Sequence, residues 1–232
     1  MQRQLEPELM DDAEQADAYA AADFSEANGL FVALFSEFCG KDFAGTVLDL
    51  GCGPGDICLR LARTFPGSLV HGLDGAAAML GHAKIALARE PVLARRVRFI
   101  LGRLPDAALP MPAYDAVVSN SLLHHLPDPQ VLWGAVRRSS RPGTRVLAMD
   151  LFRPSDLATA ERLVKRYAAD APPVLQRDFL NSLCAAFQPE EIVAQLRVAG
   201  LGHFTVQVVS DRHVAVSGVV PDGEQSGAIT AR

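Results

Sequence analysis

The chain lacks any uncharged apolar run of about eighteen residues, so no membrane-spanning helix is expected. It also lacks a basic block. The net charge is −5 with a pI near 5.7, and Arg137, Arg138, Arg141 and Arg145 are scattered among acids and apolar residues. Neither nucleic acid nor an anionic membrane surface is therefore an expected partner. Acidic residues Glu6, Glu8, Asp11 and Asp12 stand where a secretory leader would be basic and then apolar. Cysteine is scarce: Cys39, Cys52, Cys58 and Cys184 form no C-x-x-C pair and have no companion histidines at ligand spacing. Neither a disulfide framework nor a metal site is expected, and a reducing cytoplasm fits best.

What is present suffices for one well-buried domain, with 49% hydrophobic residues in a chain of 232. The first forty residues are rich in alanine and place Leu30, Phe31, Leu34, Phe35 and Phe38 at helical spacing, ending at Cys39-Gly40. Residues 1–43 read as an N-terminal helical cap. From Thr46 onward, short apolar runs alternate with helical patterns. The runs are Val47 to Leu50, Leu69 to Leu73, Val97 to Leu101, Ala116 to Ser119 and Arg145 to Met149; helices are expected at Ile57 to Thr64, Ala76 to Arg89 and Pro129 to Ser139. That alternation implies a parallel sheet covered on both faces.

After the fifth strand, residues 155–187 carry two helical patterns separated by Ala171-Pro172-Pro173 and read as an inserted lid. A helix from Pro189 to Ala199 follows. The strands Phe204 to Val209 and Val214 to Val219 are joined by Ser210-Asp211-Arg212-His213, a link short enough to make them antiparallel and polar enough to read as a solvated turn. The main domain is taken as residues 44–220, and residues 221–232 read as a flexible Gly/Ser-rich tail.

The densest chemical signal is V-L-D-L-G-C-G-P-G, from Val47 to Gly55: an apolar strand ending in a carboxylate and breaking into alternating glycines, which let backbone approach a ligand. A second carboxylate, Asp74, closes the next strand about 20 residues after Gly51, where it would face two ribose hydroxyls. Taken singly, each acid has a plain alternative as a helix cap.

D-x-G-x-G-x-G followed by an acid at the end of the second strand resembles the class I S-adenosylmethionine-dependent methyltransferases over roughly Ala44 to Val219. The resemblance implies a three-layer Rossmann-like α/β fold, mostly parallel with an antiparallel last strand. It implies S-adenosylmethionine as cofactor, with Asp49, Gly51, Gly53 and Gly55 around its methionine part, Asp74 and Gly75 at the ribose, and Met79 near the adenine. Gly102, Arg103 and Leu104 end the third strand, Arg103 standing where the family offers an acid to the adenine amino group. After the fourth strand, V-V-S-N-S-L-L-H-H-L-P-D-P places Asn120 and Ser121 at the strand mouth and His124 and His125 one turn on. Asp150 closes the fifth strand and reads either as a group at the site or as an ion pair with Arg153. R-P-G at Arg141 to Gly143 resembles the family turn before the fifth strand.

The implied reaction is in-line displacement, in which a small-molecule acceptor takes the sulfonium methyl; His125 is the candidate base, with Asn120 and Asp150 beside it. A monomer or homodimer is expected. Two rivals remain. An NAD-dependent oxidoreductase shares the glycine loop, but here the glycines read G-x-G-x-G, Asp49 precedes them, and no Tyr-x-x-x-Lys pair occurs. A non-catalytic cofactor-binding scaffold is the other.

Overall fold

The computed structural model describes residues 1–6, 13–111 and 113–221. Two helices, α1 (Ala13–Ala21) and α2 (Ser25–Cys39), precede the sheet. Then β1 (Thr46–Leu50), α3 (Asp56–Thr64), β2 (Leu69–Asp74), α4 (Ala77–Ala88) and β3 (Val97–Leu101) form one half. The other half runs β4 (Tyr114–Asn120), α5 (Gln130–Arg138), β5 (Ser140–Leu151), α6 (Leu157–Tyr167), α7 (Pro173–Ala185), α8 (Pro189–Val198), β6 (Thr205–Val208) and β7 (His213–Val219).

The seven strands lie in the order β3-β2-β1-β4-β5-β7-β6. Strands β1 to β5 pair in parallel, while β7 runs antiparallel to both β5 and β6. This is the expected three-layer, Rossmann-like sheet, mostly parallel with an antiparallel last strand, β7. The texture of β1 shows why its sequence is continuously apolar. Val47 packs with Phe31, Phe35 and Leu61 on one face, while Leu48 and Leu50 pack with Leu132, Trp133 and Ile192 on the other. A strand buried on both sides has no solvated face on which polar residues can alternate. Trp133 is wholly buried on the second face, its indole N–H donating to Gln195 Oε1 at 3.1 Å.

Strand β5 begins at Ser140, five positions before the expected Arg145, so Arg141-Pro142-Gly143 lies within it rather than ahead of it. The ladder to β4 shifts register between Tyr114 and Ala116, and Gly143 takes φ +84 while its N–H donates to the Val220 carbonyl. Proline and glycine here form a strand irregularity instead of a turn. The 210–213 link also differs from a solvated turn. Arg212 is buried, its guanidinium 3.3 Å from the Tyr167 ring centroid, and it pairs with Asp211. Burial, followed by the Arg212 charge, lowers the His213 imidazole to about 4.

The inserted helices α6 and α7 form a small cluster of their own around Leu163, Leu183 and Ala186. Helix α7 meets α1, where Gln15 Nε2 donates to Asp178 Oδ2 at 2.8 Å. The first residues lie along this seam as a strap. Gln4 N–H donates to the Cys184 carbonyl, and Arg3 donates to the carbonyls of Ala185, His124 and Leu126 while lying over the Phe187 ring. Residues 222–232, most of the expected tail, fall outside the described residues.

Entry into β1 is fixed by Asp115 at the start of β4. Its Oδ2 accepts from Thr46 N–H at 2.7 Å and from Thr46 Oγ1 at 2.9 Å, and Arg141 pairs with its other oxygen. A Cβ at Gly45 would lie 2.9 Å from this side chain, so glycine is what lets the two strands start side by side. Partial burial opposes the charge, but the Thr46 and Arg141 donors prevail and hold the Asp115 carboxyl below its usual range. A depressed folded-state pKa stabilises above the unfolded value near 3.9, and that stabilisation is lost as pH falls. Asp115→Ala should therefore cost about 1–2 kcal/mol at pH 7 and progressively less toward pH 3 in urea denaturation. An equal loss at both ends would mean that the charge contributes nothing.

Candidate functional site

Strand order reverses between β1 and β4, because the chain leaves β1 toward β2 and β3 on one side and returns to β4 and β5 on the other. At such a switch point the connections diverge and leave a crevice beyond the carboxyl ends of the strands. A cavity of about 490 Å³ lies there. Its walls come from the ends of four strands: Asp49, Gly51 and Gly53 after β1, Asp74 and Gly75 after β2, Gly102 to Leu104 after β3, and Asn120 and Ser121 after β4. Met79 of α4 and His125 join them, whereas Gly55 and Asp150 of the set expected from the sequence do not, and the cap contributes Tyr19, Phe24 and Asn28.

The glycines have separate jobs. Gly51 sits at φ +74, where a Cβ would strike Leu122, and its N–H donates to the Leu73 carbonyl, tying the loop to β2. Gly53, at φ +51, has no atom within 4 Å of where a Cβ would lie, so this stretch of backbone is bare toward the cavity. Gly55 does not line the cavity. It starts α3 at φ +85, and a Cβ there would meet Phe99 at 2.6 Å, so its role is close packing of α3 rather than ligand contact.

The floor of the cavity is acidic. Asp49 is 1% exposed; its Oδ2 accepts from the Cys58 thiol at 3.2 Å, and its Oδ1 has no partner. Burial raises this carboxyl to about 7, the Cys58 bond opposing and the neighbouring Asp74 charge adding to the rise. Asp74 accepts Gly53 N–H at 2.7 Å and Ala76 N–H at 2.8 Å, and burial raises its pKa against those bonds. Neither acid is itself an N-cap residue, since Gly55 precedes α3 and Ala76 precedes α4, although Asp74 holds the Ala76 N–H at the start of α4. The Tyr19 hydroxyl is pushed up to about 12, by burial first and then by the charges of Asp150, Asp74 and Asp56.

At the end of β4, Ser121 takes φ +56, a left-handed conformation rare outside glycine, with its N–H held by the Met149 carbonyl. Asn120 donates from Nδ2 to Asn28 Oδ1 at 3.3 Å, and Asn28 in turn donates to Asp56 at 2.7 Å, which links the cap to the site. The adjacent histidines separate in function. His124 is buried with its Nδ1 on Asp150 Oδ1, whereas His125 reaches the cavity wall.

Asp150 requires a correction. It does not line the cavity. Its Oδ2 accepts Leu123 N–H at 2.7 Å and its Oδ1 accepts Leu151 N–H at 2.7 Å, so it braces the Leu123–His125 turn from behind. Nor does it pair with Arg153, which goes to Glu191 and the Ala186 carbonyl. Burial opposes the Asp150 charge, but His124 holds its carboxyl below the ordinary range; the same contact raises His124 against its own burial. Gly102 N–H is likewise committed, to the Asp74 carbonyl at 2.9 Å, and does not serve a ligand. None of residues 155–187 lines the cavity; the cap, rather than the insertion, forms its wall.

One regularity tests the fit of the sulfonium cofactor. Among the described residues, the buried side-chain N and O atoms without a hydrogen-bond partner are Asp49 Oδ1, Asn120 Oδ1 and His125 Nδ1, and all three residues line this cavity. Orphaned buried acceptors are costly unless a ligand satisfies them. Two oxygens, one of them anionic, beside bare glycine backbone suit a ligand that brings N–H donors and positive charge. Asp74 keeps further lone pairs for hydroxyl donors. Sequence reasoning did not find Tyr19, Asn28 or Glu6, whose Oε1 lies 3.0 Å from His125 Nδ1.

Comparison with known proteins agrees with this geometry. A methyltransferase-domain family profile matches residues 47–143. An uncharacterized methyltransferase of Mycobacterium tuberculosis strain H37Rv is 34% identical over 109 residues, covering 47% of this chain and 52% of that one. The trans-aconitate 2-methyltransferase of Azoarcus sp. strain BH72 is 35% identical over 115 residues, covering 50% and 42%. The chain thus spans about half the length of the curated relatives it matches. A SAM-dependent methyltransferase from Aquifex aeolicus superposes with a TM-score of 0.64 at 18% identity, over 89% of this chain and 97% of that one, a likeness of fold.

The buried acid gives a stability prediction. A carboxyl raised from about 3.9 to about 7 opposes folding increasingly as pH rises through that window. Asp49→Asn should therefore stabilise the ligand-free protein by at least about 1 kcal/mol at pH 8, and make little difference at pH 4, in chemical denaturation. Destabilisation at pH 8 would show that the charge is compensated.

Proposed function

We propose that the chain, whose residues 47–143 match a methyltransferase-domain family profile, is a class I, Rossmann-like methyltransferase that binds S-adenosylmethionine in the β1/β4 cavity and methylates a small-molecule acceptor. The observation carrying this reading is the coincidence of the orphaned acceptors with the cavity wall. Asp49 would hold the cofactor's ammonium, Asp74 and Gly75 its ribose, and Met79 with Gly102 to Leu104 its base. When bound, the cofactor supplies an activated methyl group. The protein's own part is to orient and desolvate the acceptor, which falls to Asn120, Ser121 and His125 at the mouth of β4, with Tyr19 and Asn28 excluding water from the cap side.

A volume of about 490 Å³ walled by the cap fits a small molecule better than a polymer. Residues 1–43 are read as the cap, 44–220 as the catalytic domain and 155–187 as an insertion that braces cap and active-site turn. No described helix is long and apolar enough to cross a membrane, and we place the enzyme in the cytoplasm as a monomer or homodimer. Dinucleotide binding is disfavoured by Asp49, which would repel a pyrophosphate at this loop. Turnover against a metabolite panel separates an enzyme from a non-catalytic binder.

S-adenosylhomocysteine should bind in calorimetry with a dissociation constant on the order of micromolar, and NAD at millimolar concentration should not compete. Asp74→Ala should weaken that binding about tenfold or more, through lost charge-assisted hydrogen bonds. Binding of NAD with indifference to S-adenosylhomocysteine would falsify the reading. His125→Gln should leave cofactor affinity intact and lower turnover by roughly 10²-fold or more.

A further inference from the structure

Beside the cavity, three side chains from distant parts of the sequence converge. Glu6 belongs to the N-terminal strap, His124 and His125 to the turn after β4. One ligand atom of each lies within 4.8 Å of the others. Glu6 Oε1 stands 3.0 Å from His125 Nδ1 and 3.4 Å from His124 Nε2, and the three side chains are 8%, 14% and 3% exposed. The geometry points to a site for one divalent transition-metal ion of the zinc class, held by Glu6, His124 and His125.

Three features of the cluster carry this assignment. First, donors bonded at 2.0–2.1 Å to a tetrahedral ion lie about 3.3 Å apart along the tetrahedron's edges, which the two separations bracket. Second, His125 Nδ1 approaches the Glu6 carboxylate at 3.0 Å yet has no hydrogen-bond geometry to any partner, as expected of donors aimed at a common point rather than at each other. Third, His124 presents Nδ1 to Asp150, leaving Nε2 toward Glu6. A carboxylate behind the imidazole fixes its tautomer and orientation and raises its basicity as a ligand, the usual support of a metal-bound histidine.

Two imidazoles and one carboxylate suit zinc and its first-row neighbours, not calcium or magnesium. They leave a fourth position open, the arrangement of sites that take an exogenous ligand. His125 is both ligand and cavity wall, so an oxygen of the acceptor is the ligand we assign to that position. This last step rests on the methyl-transfer reading; the ion site itself does not. His125 would then address the acceptor through the ion.

Equilibrium dialysis of the full chain against zinc ion alone, with total metal analysis, tests the site. The wild type should retain one equivalent. Glu6→Gln and His125→Gln, tested separately, should each weaken retention at least tenfold, and cobalt should give the visible absorption of a four-coordinate ion in the wild type only. Glu6 also accepts from Ser182 Oγ of α7 at 3.2 Å, a bond that Glu6→Gln can keep, and circular dichroism with S-adenosylhomocysteine calorimetry shows whether each variant remains folded. Wild-type retention no greater than that of folded Glu6→Gln overturns the proposal, as does retention unchanged in folded His125→Gln. Zinc retained by a chain that ignores S-adenosylhomocysteine supports the ion site while removing the methyl-transfer reading.

Discussion

A parallel sheet covered by helices on both faces can expose its backbone only at the strand ends, and everything functional in this fold follows from that constraint. Val47 and Leu48 spend the two faces of β1 on opposite layers of helix, so only the last residues of each strand can present polar groups to a ligand. The reversal of strand order between β1 and β4 then selects one end and one crevice. Four strands finish there, and the cap helices supply the wall that the sheet lacks.

Within that crevice, the chain keeps groups that a fold selected for stability alone would not keep. Asp74 is reconciled to burial by two backbone N–H donors, but Asp49 is left with a free oxygen and a carboxyl raised to about 7. Ser121 holds a backbone conformation that costs on the order of 1 kcal/mol or more for a residue with a side chain. Strain and unsatisfied acceptors gathered in one place are the mark of a site whose free energy is completed by its ligand.

The parts legible in the sequence are those whose meaning is local. Val47 to Gly55 declares strand, acid and turn within nine consecutive residues, and the acid closing β2 follows from chain order alone. The apolar periodicities likewise located α6 and α7, the second of which starts at Pro173, inside the Ala171-Pro172-Pro173 break. Contacts that join remote segments were not legible. Tyr19 and Asn28 lie on helices whose patterns announce only packing, and Glu6 reaches the histidine pair from a segment with no periodicity at all. Asp150 shows a subtler limit. Position in the chain placed it correctly at the end of β5, but not toward which side it turned, and it turned to His124 and the backbone of the next turn. Arg212 reads as a solvent residue in any composition-based view, yet the Tyr167 ring beneath it makes burial of its stem and charge tolerable.

The single tryptophan has a practical consequence. Trp133 is sealed on the α5–α8 face, its N–H held by Gln195, and it is absent from the walls of the cavity on the other side of the strand ends. Its emission therefore reports on the packing of that helical layer, and the ring makes no direct contact with whatever fills the crevice. A chromophore in direct contact with the occupant is found instead in the cap, where Tyr19 forms part of the wall.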